Sequence, residues 1–342
     1  MKRIARFGAG SMMLAATIAA LPATAGAGAG SGVEEKTLLV SEDFTGTTVG
    51  DENFASLNSC LTAATELIGE DEFDSCADQD AGPVPTSGRQ PGYLQLTDAG
   101  KYQAGGIVYN DALPSRHGIE VTFAQYQYGG TGADGISFFL VDGDTDLTAT
   151  GAIGGSLGYA QIDNEVTGVR QPGVAGGYLG LGLDAWGNFS ADTEGRGSGC
   201  PEGQQAPEHL RITANRAPNN VALRGPGDGD EGYCLLGTTA TDEQIGEYTD
   251  GLVYGTDFPE TLTVGTLEES KRLVKLKVVE NGDGQAKVTV DLDFLNGDGW
   301  SRVLEATVPR DMPETFKFGF ASSTGGKTDV HLLRHLRVES LT

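Results

Sequence analysis

A period-two pattern broken by glycine turns constrains this chain more than any other feature. From Arg272 to Val308 it reads RLVKLKVVENGDGQAKVTVDLDFLNGDGWSRVLEATV. Val274, Leu276 and Val278 alternate with Lys275 and Lys277, and Ala286, Val288 and Val290 resume the alternation after the Asn281-Gly282 turn. Asn296-Gly297 closes the next turn, before Val303 and a further strand in ATV. A strand sends successive side chains to opposite faces, so this spacing predicts a meander with one apolar and one wet face. KTLLVSEDF, GYLQLT, HGIEVTFAQYQY, DGISFFLVDG and GGYLGLGLD are further strand candidates. The unbroken runs ISFFLV and YLGLGL suit central strands, and long amphipathic helices are nearly absent. Two packed antiparallel sheets around one continuous core are therefore expected, rather than an α/β enzyme fold.

The 342 residues fit one large sandwich. Lys and Arg number 23 against 48 Asp and Glu, a formal charge of −25. A phosphate-backbone binder needs a basic surface, so nucleic acid is excluded as a natural partner. Lys2, Arg3 and Arg6 precede an apolar run ending near Leu21 and the small residues Ala23-Thr24-Ala25, the order of a secretory signal peptide. Residues 1–25 read as that segment, 26–35 as a flexible mature N-terminus and 36–342 as a single sandwich. Surface insertions are expected near 45–89 and 196–265, and no second apolar stretch of membrane-spanning length follows. Cys60, Cys76, Cys200 and Cys234 suit two disulfides in an exported chain. Three connectivities are open, and proximity favours Cys60–Cys76 with Cys200–Cys234.

Three glycine-bordered pieces carry candidate chemistry. In TGADGISFFLVDG, Asp134 sits at the end of a strand, where a carboxylate can accept hydrogen bonds from sugar hydroxyls or form an ordinary acidic turn. GAIGGSLGYA offers backbone donors at Gly154 or Gly155. In GGYLGLGLDAWGNFSADTEG, the carboxylates of Asp184 and Asp192, the carbonyl of Trp186 and the amide oxygen of Asn188 supply part of a calcium shell. Spacing leaves that reading and a solvated Asp/Asn turn both open.

Taken in order, ADGISFFL, GGSLG at 154–158, LDAWGN at 183–188 and FGFASSTGGKTDVHLLRHLRV near the C-terminus resemble the motifs of L-type, or legume-lectin-like, carbohydrate-binding domains, particularly their secreted bacterial branch. The resemblance runs from about Lys36 to the end, outside the two insertions. It implies an all-β, concanavalin-like two-sheet antiparallel β-sandwich, or jelly roll, that binds glycans or polysaccharides. Carried over by motif, Asp134 is the saccharide-binding carboxylate, Gly155 a backbone donor and Asn188 an amide shared between ion and sugar. Asp184, the Trp186 carbonyl and Asp192 are the other implied calcium contacts; Trp186, Gly325 and Gly326 border the sugar. Plant members carry an acidic residue two positions before the first aspartate of this loop, for a transition metal. This chain has Gly182 there, and Asp192 lies one position nearer Asp184 than the family's second aspartate, so the resemblance implies calcium alone.

Other readings compete at the remaining sites. Asp163 and Glu165 in QIDNEV could share a strand face as a glycosidase pair, but the E-x-D-x-x-E pattern of sandwich glycoside hydrolases is absent around them. His331 reads as a structural histidine on the last core strand or as a group orienting a neighbouring carboxylate, while Arg334 and Arg337 offset part of the acidic field. A secreted lectin that is not an enzyme is the leading expectation; a glycoside hydrolase and a sugar-independent structural or adhesive module are the alternatives.

Overall fold

The computed structural model describes residues 35–66, 73–164, 167–249 and 251–342. The expected signal peptide, residues 26–34 and Glu165 lie outside the described residues. Two nine-stranded sheets dominate. The first runs Trp300–Asp311, Gln285–Asp293, Arg272–Glu280, Gly118–Tyr128, Val330–Leu341, Leu94–Thr97 and Cys60–Leu61, pairing antiparallel along that path. The second runs Glu231–Gly232, Gly227–Asp228, Gly177–Asp184, Gly135–Asp142, Thr315–Ser323, Ala104–Pro114 and Phe54–Leu57, with Asn220–Arg224 also on Gly177–Asp184. A single four-residue α-helix, Leu267–Ser270, occurs among the described residues. This is the concanavalin-like two-sheet antiparallel β-sandwich that the sequence predicts.

The meander obeys its pattern: Val274, Leu276, Val278, Ala286, Val288, Val290 and Leu292 point into the main core. They meet Phe138, Leu140, Leu179, Leu181 and Leu183 from the facing sheet.

The expectation of one continuous core is corrected, because the second sheet is buried on both faces. Phe139 and Val141 alternate with Phe138 and Leu140, and join a second apolar cluster with Leu157, Tyr159, Phe189, Leu210 and Tyr233. That cluster explains the unbroken run ISFFLV. It also explains YLGLGL, whose leucines face the main core while the glycines seat aromatic rings. A Cβ on Gly180 would lie 2.2 Å from the Tyr159 ring, and one on Gly182 would lie 2.2 Å from the Phe189 ring. A third, smaller cluster lies around Tyr126, Tyr128 and Leu332.

Both insertion regions belong to these cores as well as to the surface. Phe54, Leu61 and Phe73 join the main core, while Leu210 and Tyr233 join the second. Cys60–Cys76 and Cys200–Cys234 are bonded, the pairing that proximity favours.

Candidate functional site

Register at one end of the second sheet builds the site. Gly135 pairs with Asp184 on one neighbouring strand and Ser323 on the other, so Asp134, one residue beyond, lies between two loops. Its N–H donates to Ser323 O and its carbonyl accepts from Trp186 N–H, each at 2.9 Å. The Ser323 hydroxyl donates to Asp134 Oδ2 at 2.9 Å and accepts from Gly154 N–H at 2.9 Å. Burial raises the Asp134 pKa to about 6, with the Ser323 hydrogen bond and the Arg196 charge opposing the rise. The carboxylate is therefore mostly ionised at neutral pH.

Asp134 Oδ1 has no hydrogen bond among the described residues, and it lies 3.9 Å from where a Cβ on Gly325 would stand. It opens onto a cleft of about 320 Å³ lined by Asp134, Trp186, Tyr248, Gly325, Gly326 and Lys327. Four of these are sequence candidates; Tyr248 and Lys327 were not singled out. Tyr248 ends the strand Ala240–Tyr248, which pairs with Gly251–Thr256. Its ring meets Trp186 edge-on, centroids 5.3 Å apart and planes at 89°. The Arg216 guanidinium lies 3.6 Å from the Trp186 ring centroid and 4.6 Å from that of Tyr248, holding the aromatic wall by cation–π contact.

Gly155 and Asn188 touch each other beside this cleft without lining it. A Cβ on Gly155 would fall 2.5 Å from Asn188 Cβ and 3.0 Å from Nδ2, so this approach requires glycine. The Asn188 side-chain amide has no protein partner among the described residues. Ser323 links the Gly154 end of that loop to Asp134.

The implied calcium donors each carry a protein partner, apart from Asn188. Asp184 is fully buried, and its two oxygens accept Gly187 N–H at 2.7 Å and Phe189 N–H at 2.6 Å. Burial raises its pKa to about 7 against those two hydrogen bonds. The Trp186 carbonyl accepts from Arg216 Nη1 at 3.2 Å. Asp192 Oδ1 accepts from Arg224 Nη2 at 2.9 Å, and Oδ2 accepts Ala206 N–H at 2.6 Å. Among the described residues, no three His, Cys, Asp or Glu side chains gather as a metal-holding group. Six to eight oxygens are needed for calcium, and of this set only the Asn188 amide is uncommitted. As arranged, these residues do not fit the ion as an assembled shell: the loop is capped by Asp184 and tied by arginines. The Gly182 position is equally closed, since the Phe189 ring fills it.

The remaining candidates take ordinary partners. His331 Nδ1 lies 2.7 Å from the Thr97 hydroxyl, so it orients no carboxylate, and its burial lowers its pKa to about 3. Asp163 accepts from Arg170 at 2.5 Å at the surface. Arg334 donates to the carbonyls of Pro91 and Gly92 and stacks over Tyr93, while Arg337 pairs with Glu339.

No protein-family model matches the sequence, and no curated protein matches it. Among solved structures, it is similar to peanut lectin bound to a nine-residue peptide, at 18% identity, covering 89% of this chain and 98% of that one, with a TM-score of 0.43. It is similar to lectin II from Ulex europaeus at 13% identity, covering 89% and 100%, with a TM-score of 0.43. The VIP36 exoplasmic/lumenal domain in its Ca2+/Man3GlcNAc-bound form is similar at 14% identity, covering 76% and 83%, with a TM-score of 0.42.

Proposed function

We propose that this chain is a secreted, lectin-like saccharide-binding protein whose site is the cleft at Asp134. The observation that carries the reading is a divided carboxylate: Ser323 fixes one oxygen and the other opens onto an aromatic-walled cleft. A sugar presents hydroxyl donors beside patches of apolar C–H. Asp134 Oδ1 accepts the hydroxyls, and Trp186 with Tyr248 offers apolar surface to the C–H face. The uncommitted Asn188 amide and the main chain at Gly155 and Gly326 supply further polar contacts at the rim.

Binding is better supported than glycoside hydrolysis. Hydrolysis needs two carboxyl groups flanking one glycosidic bond. Asp184, at the same strand end, is fully buried with both oxygens occupied, and Glu194, whose charge reaches Asp134, is paired with Arg196 at 3.1 Å.

The test is a broad glycan screen followed by titration of each hit with wild type, Asp134→Asn and Asn188→Ala. Removing the charged acceptor should weaken binding about 10- to 100-fold, the equivalent of a charge-assisted hydrogen bond worth about 1.5–3 kcal/mol. Full affinity in both variants would place the site elsewhere, and release of new reducing ends would make the protein a hydrolase. Export is tested by N-terminal sequencing of protein recovered outside the cell, with cleavage expected near Ala25.

A further inference from the structure

We infer that three arginines, Arg196, Arg216 and Arg224, organise the recognition loop in place of a metal ion, so that the loop, and any sugar binding it supports, is independent of calcium. The consequence for sugar binding rests on the function proposed above; the organisation of the loop does not.

The loop after Asp184 folds back on its own strand and turns main-chain carbonyls inward. A divalent cation would gather such carbonyls together with carboxylates. Here guanidinium groups do so. Arg224, fully buried, donates to Phe189 O and Tyr233 O at 2.7 Å, and to Ala191 O and Asp192 Oδ1 at 2.9 Å. Arg196 reaches Ala191 O at 3.1 Å, Thr193 Oγ1 at 2.9 Å, Glu194 Oε2 at 3.1 Å and Ser156 Oγ at 3.3 Å. The last contact ties this loop to the one carrying Gly155. Arg216 takes the carbonyl of Trp186 and lies on its ring. The loop carbonyls at 186, 189 and 191 are thus each held by a fixed cation that belongs to the chain.

Charge follows the same logic. Arg196 favours the ionised forms of both Asp134 and Asp184, and Arg224 neutralises Asp192. A guanidinium presents five donors in a rigid plane and stays charged when buried, so it can serve several carbonyls and a carboxylate together. A divalent ion entering this loop would meet these positive charges and compete for acceptors already in use.

The experiment uses the full chain carrying Trp300→Phe, which leaves Trp186 as the only tryptophan of the two. Calcium uptake by equilibrium dialysis, the melting temperature and Trp186 emission are followed with chelator and with calcium up to about 1 mM, the weak end for extracellular calcium modules. The expected result is no saturable uptake, no change in melting temperature and no change in emission. Saturable uptake with a rise of several degrees and a shifted emission overturns the inference. Arg216→Ala in the same background should shift Trp186 emission to the red and make it more quenchable. Unchanged emission in that variant overturns the organising role of Arg216. No readout requires sugar, so a calcium-indifferent loop with no glycan binding would reject the proposed function while leaving this inference standing.

Discussion

The meander from Arg272 to Asp311 and the loops around Asp134 are built by opposite means. In the meander, partners are near in sequence: Leu276 faces Val290, Val278 faces Val288 and Val290 faces Leu304. Its ion pairs, Arg302–Asp291 at 2.6 Å and Lys287–Glu305 at 2.8 Å, lie on the wet face between adjacent strands. At the loops, partners come from distant segments. Asp134 and Ser323 are 189 residues apart, Arg224 and Asp192 are 32 apart, and Arg216 and Trp186 are 30 apart. Local alternation suffices to form a sheet. The end that carries Asp134 requires strands that sheet pairing has already brought side by side.

The comparison can be broken most forcefully at Arg224. Arg224→Met should cost about 3–5 kcal/mol in urea unfolding, because it leaves the nearly covered Asp192 carboxylate without its cation and the carbonyls of Phe189 and Tyr233 without their donor. An unmoved midpoint would mean that the loop end is as locally determined as the meander. Gly182→Ala should cost about 1–3 kcal/mol by forcing the Phe189 ring from its seat. A melt that overlays wild type would show that the seat is not tightly filled.

Acid separates the regions next. The buried His331 has a pKa lowered to about 3 from 6.5, so the unfolded chain takes up its proton first. Its contribution is fully present above pH 6.5 and is lost as pH falls toward 3, at about 1.4 kcal/mol per pH unit. Asp134, Asp184 and Asp329, raised to about 6, 7 and 6, act in the opposite sense: protonation below those values favours the folded state. The difference in slope between wild type and His331→Gln isolates the histidine, and equal slopes would show that His331 titrates normally. Smallest should be Lys275→Gln in the meander. Lys275 Nζ lies 4.0 Å from the Trp300 ring centroid, and loss of that exposed contact should cost no more than about 0.5–1 kcal/mol.

These contrasts also explain what was legible beforehand. The meander, the central strands and the proximity-favoured disulfides follow from local spacing. Asp134, Trp186, Gly325 and Gly326 meet in one cleft, as their separate motifs suggested. Tyr248 and Lys327 escaped because nothing near either residue marks it: Tyr248 ends an insertion strand, and Lys327 is one more charge after a glycine pair. The arginines escaped for a related reason. An arginine in a strand such as NVALR reads as a surface charge until the second cluster buries it. The calcium set meets the same limit, since spacing shows which oxygens are present but not which donors already bond to them.

The cleft also divides its labour. Asp134 and Trp186 stand on a floor braced from several directions, whereas Gly325, Gly326 and Lys327 form a short connection between two strands, and Tyr248 stands at the tip of a hairpin outside both main sheets. Mutational drift in those two outer pieces alters the outline of the cleft while leaving the braced carboxylate where it is. Edits confined to the rim would therefore reshape the cleft over an unchanged floor.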